Sequence, residues 1–198
     1  MAAQLFIVTP ASADPDGFPK TLMAVLGAAS VAAILVQRGE RSEADYTRLA
    51  QAIVNVGQGA GCAVLVEDDA ALAKRLGADG VHVSGDAMAI KAAVKALKPS
   101  LIVGAGNIGS RHDAMTAGEL DVDYLFFGPV AGPFDAAAED LALWWSETFE
   151  IPAVLSDPAA TPQTAQTAAV EFIALSDSLW TAQPAATAAG FAQAMEPV

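Results

Sequence analysis

The sequence is poor in cysteine, in long apolar runs and, beyond its midpoint, in basic residues. Cys62 is the single cysteine among 198 residues, so an internal disulfide framework is excluded, and its place in an apolar run predicts a buried, inert thiol. No stretch approaches the roughly 20 consecutive apolar residues that a membrane span requires. The first residues also lack the basic flank and apolar core of a signal peptide. These absences predict a soluble, cytoplasmic protein with no membrane partner.

Lysine and arginine are missing from residue 112 onward. All ten lysines and arginines lie between Lys20 and Arg111, where ten acids balance them, and residues 112–198 hold thirteen acids, which account for the net charge of −13. Nucleic acid is therefore disfavoured as a partner, because its backbone is bound by clustered basic side chains. The acidic half is either a solvated surface or a region that selects against anionic ligands.

Apolar segments and helical patterns alternate eight times along the chain. With 54% apolar residues, the 198 residues predict one domain with a large core. The predicted strands cover 4–8, 31–36, 62–66, 81–83, 101–103, 124–128, 153–155 and 172–175. The predicted helices cover 19–29, 42–56, a short segment after 67–69, then 86–97, 110–120, 141–148, 162–169 and 184–195, with 133–140 as a loop.

This alternation predicts an α/β protein with a parallel sheet covered by helices. Eight units are typical of a (β/α)8 TIM barrel in a single compact domain, residues 1–198. An open flavodoxin-like or Rossmann sheet is the second interpretation, but it leaves two or three units over. The G-x-G-x-x-G pattern at 104–109 is weak evidence for a dinucleotide site, because it follows the fifth strand rather than the first.

Polar residues gather where the predicted strands end. Glu67, Asp68 and Asp69 follow the third strand, and the motif Gly-Ala-Asp-Gly-Val-His at 77–82 leads into the fourth. With Asp-Tyr-Leu-Phe-Phe-Gly-Pro-Val at 123–130, this pattern resembles the thiamine phosphate synthase and thiazole tautomerase family. The resemblance implies a small barrel that joins a pyrimidine diphosphate to a thiazole phosphate with Mg²⁺ and releases pyrophosphate. In that reaction a pyrimidine cation forms before the thiazole nitrogen attacks.

The resemblance also implies which residues hold the metal and the diphosphate. The family's Asn-Asp pair falls on Glu67 and Asp68, with Asp68 as a Mg²⁺ ligand, and Asp86 offers a second ligand or else caps the following helix. The family's Gln-x-Arg-x-Lys triplet can be aligned in two ways. In the first, Gln37 is the family glutamine and Arg41 takes the place of the lysine. In the second, Arg38 is the family arginine. Asn107 follows the fifth strand beside the position of the family serine.

Two functions from different classes follow. The first is a divergent thiamine phosphate synthase in which Gln37, Arg38, Arg41, Glu67 and Asn107 bind substrate. The second is a non-catalytic or repurposed barrel that binds an uncharged or cationic small molecule. The second is favoured because Ser-Asp-Pro at 156–158 and Ser-Asp-Ser at 176–178 replace the phosphate-binding turns, and 131–135 contains no lysine.

Three further expectations concern single features. Thiazole tautomerase activity ranks last, since Ile108 stands where its histidine is expected. His82 is expected to be a core residue, and His112 to be solvated on a helix. Trp144, Trp145 and Phe149 form an aromatic cluster that belongs to the core or, if exposed, to a possible homodimer interface.

Overall fold

Eight parallel strands close into a ring in the computed structural model, which describes residues 3–196. Each strand pairs with the next in chain order, and β1 pairs with β8 through Phe6 and Ala174. The strands are β1 (Gln4–Val8), β2 (Ala33–Val36), β3 (Ala63–Glu67), β4 (Gly80–Val83), β5 (Ile102–Ala105), β6 (Tyr124–Phe127), β7 (Ala153–Ser156) and β8 (Phe172–Leu175). The predicted (β/α)8 barrel is confirmed, and an open sheet is excluded.

Eight helices surround this ring, one after each strand. They are α1 (Phe18–Ala28), α2 (Glu43–Gly59), α3 (Ala70–Leu76), α4 (Ala87–Leu97), α5 (Arg111–Gly118), α6 (Ala136–Thr148), α7 (Pro162–Thr167) and α8 (Pro184–Met195). Within residues 3–196, none of the helices combines the length and the apolarity that crossing a membrane requires.

The strands are buried on both faces, because successive side chains point alternately into the barrel and toward the helices. The barrel interior holds one apolar cluster: Phe6, Val8, Leu35, Leu65, Tyr124, Phe126, Val154 and Ala174. Phe6 meets the edges of Tyr124 and Phe126 with ring centroids 5.8 Å apart in both pairs. The outward faces pack with the helices in a second cluster, which includes Cys62, buried as expected.

Three acids tie neighbouring strands together at the amino-terminal end of the barrel. Each immediately precedes its own strand and accepts a hydrogen bond from a backbone N–H near the start of the preceding strand. The Asp79 carboxylate accepts from the N–H of Val64 at 2.7 Å, and that of Asp123 from the N–H of Val103 at 2.7 Å. The Glu171 carboxylate accepts from the N–H of Ala153 at 2.8 Å. These acids therefore fix the strand register away from the carboxyl ends.

The predicted loop at 133–140 is wrong in its second half, because α6 begins at Ala136 instead of 141. The Asp135 carboxylate caps this helix by accepting hydrogen bonds from the N–H groups of Ala137 and Ala138. A run of three alanines follows the cap, and alanine has the highest helix propensity. Other element boundaries agree with the prediction within three residues.

Candidate functional site

The candidate residues lie on the rim, which we define as the edge of the barrel formed by the carboxyl ends of the strands and the loops that follow them. The loops after β2 and β3 are joined there by direct hydrogen bonds. The Glu67 carboxylate accepts a bond from the Arg38 backbone N–H at 2.7 Å. The Tyr46 hydroxyl donates to the Val36 carbonyl at 2.8 Å and accepts from the Glu67 N–H at 2.7 Å. Burial raises the pKa of Glu67, because its charged form loses solvation.

Strand register separates the two alternatives for the family glutamine. Leu35 belongs to the interior cluster, so Gln37, two residues later, occupies an inward register position. The Arg38 guanidinium carbon instead lies 5.4 Å from the centre of the Tyr46 ring, and Tyr46 belongs to α2 outside the barrel. The register favours the alignment that starts at Gln37. The substrate-binding roles of Gln37 and Arg38 stay predictions.

Arg41 is engaged with the backbone. Its guanidinium donates to the carbonyl oxygens of Gln37, Arg38, Pro10, Ala11 and Ala13, at distances from 2.7 to 3.3 Å. These five acceptors belong to the loops after β1 and β2, so Arg41 holds one loop against the other. Binding a diphosphate through Arg41 would require part of this set of bonds to break. Its predicted substrate-binding role remains a prediction.

Asp68 and Asp86 lie on neighbouring loops, after β3 and β4. Asp68 has a left-handed backbone, with φ of 53°, and its Oδ1 accepts a hydrogen bond from the Ser84 N–H at 2.7 Å. Asp86 is the N-cap of α4, and its Oδ1 accepts from the Ala89 N–H at 2.9 Å. Within residues 3–196, the second oxygen of each carboxylate has no hydrogen-bond partner. The cap role of Asp86 is therefore established, while one oxygen stays available to a ligand.

The donor set for a metal is small. Among residues 3–196, no three His, Cys, Asp or Glu side chains group so as to hold a metal ion. Mg²⁺ is commonly held by one or two carboxylates together with water and substrate phosphate oxygens. Asp68 and Asp86 fit that mode of binding, which depends on a ligand to complete the coordination.

Asn107 and Asp86 line one cleft, which is formed by the loops after β4 and β5 together with residues of α4 and α5. The cleft has a volume of about 380 Å³, and its wall includes Gly85 and Gly106. Asn107 is exposed and has a left-handed φ of 57°. Such backbone conformations outside glycine are uncommon, and their concentration in binding loops is a recognised mark of function. The structure thus brings together two of the predicted site residues.

His82 is buried inside the barrel against Tyr124 and Phe126, as expected of a core residue. Its side chain is fully buried, and its Nδ1 lies 3.0 Å from the Tyr124 hydroxyl. Its Nε2 has no hydrogen-bond partner among the described residues. Burial without a charged partner lowers the pKa of His82 to about 4, so the ring is neutral at pH 7. His112, in contrast, is exposed on α5.

His82 also explains why a serine is absent after β5. A Cβ atom at Gly106 would lie 2.6 Å from the His82 Nε2. A side chain at this position would therefore require the buried imidazole to move. The serine that the family resemblance places here cannot be accommodated with His82 in its present position.

The opposite side of the rim, after β7 and β8, is acidic and largely self-bonded. Asp157 is 9% exposed, and burial raises the pKa of its carboxyl group. Its Oδ1 accepts from the Ala159 N–H at 2.9 Å, and its carbonyl accepts from the Ala160 N–H. The Asp157 N–H itself donates to Ala174, and Pro158 has no N–H. No backbone donor from 157 to 160 is left for an anion.

The loop after β8 is more open. The Ser176 hydroxyl is buried without a hydrogen-bond partner in residues 3–196, and Asp177 is exposed. The Ser156 hydroxyl, on β7, donates to the Pro129 carbonyl at 2.6 Å and ties the loop after β6 to β7. No basic residue follows Arg111 in the sequence, so none can come from these loops.

The aromatic cluster of Trp144, Trp145 and Phe149 belongs mainly to the helix layer. Trp145 is buried, and its ring stacks on Phe149 at a centroid distance of 4.1 Å. The Arg111 guanidinium lies 4.5 Å from the centre of the half-buried Trp144 ring, and Phe149 is 36% exposed. A homodimer through this cluster remains a prediction.

Tyr46 is the rim residue that sequence reasoning missed. Its hydroxyl joins two strand ends, yet the residue lies within α2 in an ordinary helical pattern. The only available signal was a tyrosine among apolar positions on the buried face of that helix, which by itself predicts packing.

The fold and the rim together define a small (β/α)8 barrel that carries two carboxylates on neighbouring loops and a cleft near the carboxyl ends of its strands, which is where barrel enzymes place their active sites. The chain belongs to the thiamine monophosphate synthase family, whose model matches residues 5–176. The family places the chain with the proteins of thiamine biosynthesis.

Individual relatives agree with this assignment. The thiamine-phosphate synthase of Rhodospirillum centenum is 32% identical over 202 residues, covering 97% of both chains. That of Hyphomonas neptunium is 34% identical and covers 95% of this chain and 91% of its own. The solved structure of thiamine phosphate pyrophosphorylase from Pyrococcus furiosus has a TM-score of 0.82 at 19% identity, covering 98% of this chain and 96% of the other. This last likeness concerns the fold.

Proposed function

We propose that this family member keeps a magnesium-dependent small-molecule site on the β3–β5 side of the rim and does not join the two phosphorylated substrates of thiamine phosphate synthase at an effective rate. The observation that carries the proposal is the turn after β7, where the Asp157 carboxylate accepts the N–H of Ala159. A phosphate at this turn would have to displace that carboxylate.

The energetic cost of such a contact is large. At about 4 Å and an effective dielectric constant near 20, two like charges repel by roughly 4 kcal/mol. The loops after β6 to β8 contain no lysine or arginine that could offset this repulsion. An uncharged or cationic molecule meets no such penalty, which supports the repurposed barrel as the function.

The other half of the rim supports retention of the metal. We propose that Mg²⁺ is held by the free oxygens of Asp68 and Asp86, with the rest of its coordination supplied by water and ligand oxygens. When bound, the ion would neutralise the negative charge of a diphosphate. The chain's own contribution is to fix both carboxylates through the N–H groups of Ser84 and Ala89.

Retained synthase activity is the second candidate, and the full-length similarity to proteins named thiamine-phosphate synthase favours it. Purified protein incubated with both phosphorylated substrates and Mg²⁺ separates the two. We expect no product above background, with the Pyrococcus furiosus protein as the positive control. Rapid product formation that disappears in Asp68→Ala would overturn the proposal.

A thermal-shift panel tests the binding function directly. We expect thiamine, a cation, or the free pyrimidine to raise the melting temperature, since a ligand of the folded state stabilises it. Pyrophosphate alone should give no shift, and pyrophosphate with Mg²⁺ a shift that Asp68→Asn removes. A shift of the melting temperature by pyrophosphate without Mg²⁺ would contradict the proposal that the diphosphate binds through a metal held by Asp68 and Asp86.

The remaining proposals concern location and partners. We propose a cytoplasmic protein, supported by the free, buried thiol of Cys62, which suits a reducing compartment. We propose a small molecule rather than nucleic acid or a membrane surface as its partner, because the net charge is −13.

A further inference from the structure

A second cavity lies at the amino-terminal mouth of the barrel, at the other end of the strands from the rim. It has a volume of about 250 Å³. Its lining comes from the amino-terminal parts of the strands, and the large residues among it are Phe6, Leu65, Ile102, Tyr124, Val154 and Phe172. Ile102 and Phe172 are only half-buried, so solvent reaches the mouth without any opening of the fold.

The cavity exists because the mouth is filled unevenly. Ala33 on β2 and Ala63 on β3 present only methyl groups, while Phe6 and Tyr124 line the space with rings. Barrel interiors are normally filled by bulky branched side chains, which leave little free volume. Two alanines in this layer therefore leave space for a molecule.

The polar groups at this mouth already have partners or lie at its edge. The Asp123 carboxylate accepts from the Lys98 ammonium and from the Val103 N–H. The Tyr124 hydroxyl lies in hydrogen-bond contact with His82. Gln4 is exposed at the entrance. An apolar cavity without unpaired polar groups holds water poorly, and a cavity of about 150 Å³ is enough to admit benzene.

We propose that this mouth cavity binds one small uncharged apolar ring of about the size of benzene. The site is separate from the rim, and its occupation does not depend on the function proposed there. Charged analogues of the same ring are excluded, because among the lining residues only Gln4, at the entrance, carries a side-chain polar group without a partner in residues 3–196, and the deeper lining offers nothing to replace their hydration.

Thermal unfolding with benzene and with benzoate as probes tests the proposal. At about ten times the midpoint of its own titration, benzene should raise the melting temperature by about 3 to 6 °C, and benzoate should leave it unchanged. Ala63→Leu fills the cavity and should abolish the benzene shift. Ala92→Leu adds the same atoms on the exposed side of α4 and should keep it.

Three results would overturn the proposal: no shift of the wild-type protein in benzene-saturated buffer, an equal shift in Ala63→Leu, or an equal shift from benzoate. If Ala63→Leu fails to fold, Ala33→Leu replaces it. A crystal soaked with benzene gives an independent measurement, since ring density must lie between Ala63 and Phe172.

Discussion

Replacing His82 by methionine tests how the buried imidazole shapes the pH dependence of stability. Methionine is unbranched and adaptable, and it does not titrate. His82 is fully buried, and its only polar contact within residues 3–196 is with the Tyr124 hydroxyl. The folded protein therefore resists protonation of this ring, whereas the unfolded chain does not.

The magnitude follows from the pKa of His82, which burial lowers from its ordinary value of 6.5 to about 4. At about 1.4 kcal/mol per pKa unit, this difference amounts to about 3 kcal/mol of unfolding free energy. Between these two values the unfolded state holds more protons, so stability falls as the pH falls. The contribution is complete above pH 6.5. About 2 kcal/mol of it should be lost by pH 5.

Urea unfolding between pH 4.5 and 8, followed by the fluorescence of the three tryptophans, measures this dependence. The difference in unfolding free energy between wild type and His82→Met isolates the histidine, because both proteins share every carboxylate. The unfolding free energy of wild type minus that of His82→Met should therefore fall by about 2 kcal/mol from pH 8 to pH 5. His112→Gln, at an exposed position on α5, is the matched control and should follow the wild-type curve. Parallel curves for wild type and His82→Met would refute the reasoning.

Three other predictions follow from single contacts. Arg41→Lys should lower the unfolding free energy in urea by about 2 to 3 kcal/mol, because an ammonium cannot reach five carbonyl oxygens as the planar guanidinium does; an unchanged midpoint would contradict this. Gly106→Ser should destabilise the protein by about 1 to 3 kcal/mol by pressing on the His82 ring, and a double-mutant cycle should show a smaller cost in a His82→Ala background. Asp86→Ala should lower the unfolding free energy by about 1 kcal/mol and Asp86→Ser by almost nothing, since serine also caps helices. Both variants should lose any thermal shift caused by Mg²⁺ with pyrophosphate. A shift that survives in Asp86→Ser would exclude Asp86 as a metal ligand.

Much of the fold was predictable, because the alternation of apolar strands and helical patterns is a local property of the sequence. The ring closure followed from counting eight units. The start of α6 differs from the predicted loop at 133–140 because the Asp135 side chain, inside that segment, caps the helix. Capping depends on side-chain geometry that residue type alone does not determine.

The candidate site was predictable in position more than in detail. Residues after parallel strands meet at one edge, so Asp86 and Asn107 could be expected together, and they share a cleft. The engagement of Arg41 was not predictable, because three of its five acceptors are carbonyl oxygens of a loop some thirty residues away. Every residue has a backbone carbonyl, so residue type does not reveal which carbonyl accepts a hydrogen bond.

The acids at the amino-terminal end of the barrel have a consequence for how such proteins are recognised. Asp79 and Asp123 lie in the two motifs by which the chain resembles its family, and each holds a strand start in place. The presence of these motifs therefore indicates that the barrel is intact, and it says less about whether the reaction is retained. A family member can lose the reaction at the carboxyl-terminal rim while the residues that identify its family persist at the amino-terminal end of the barrel.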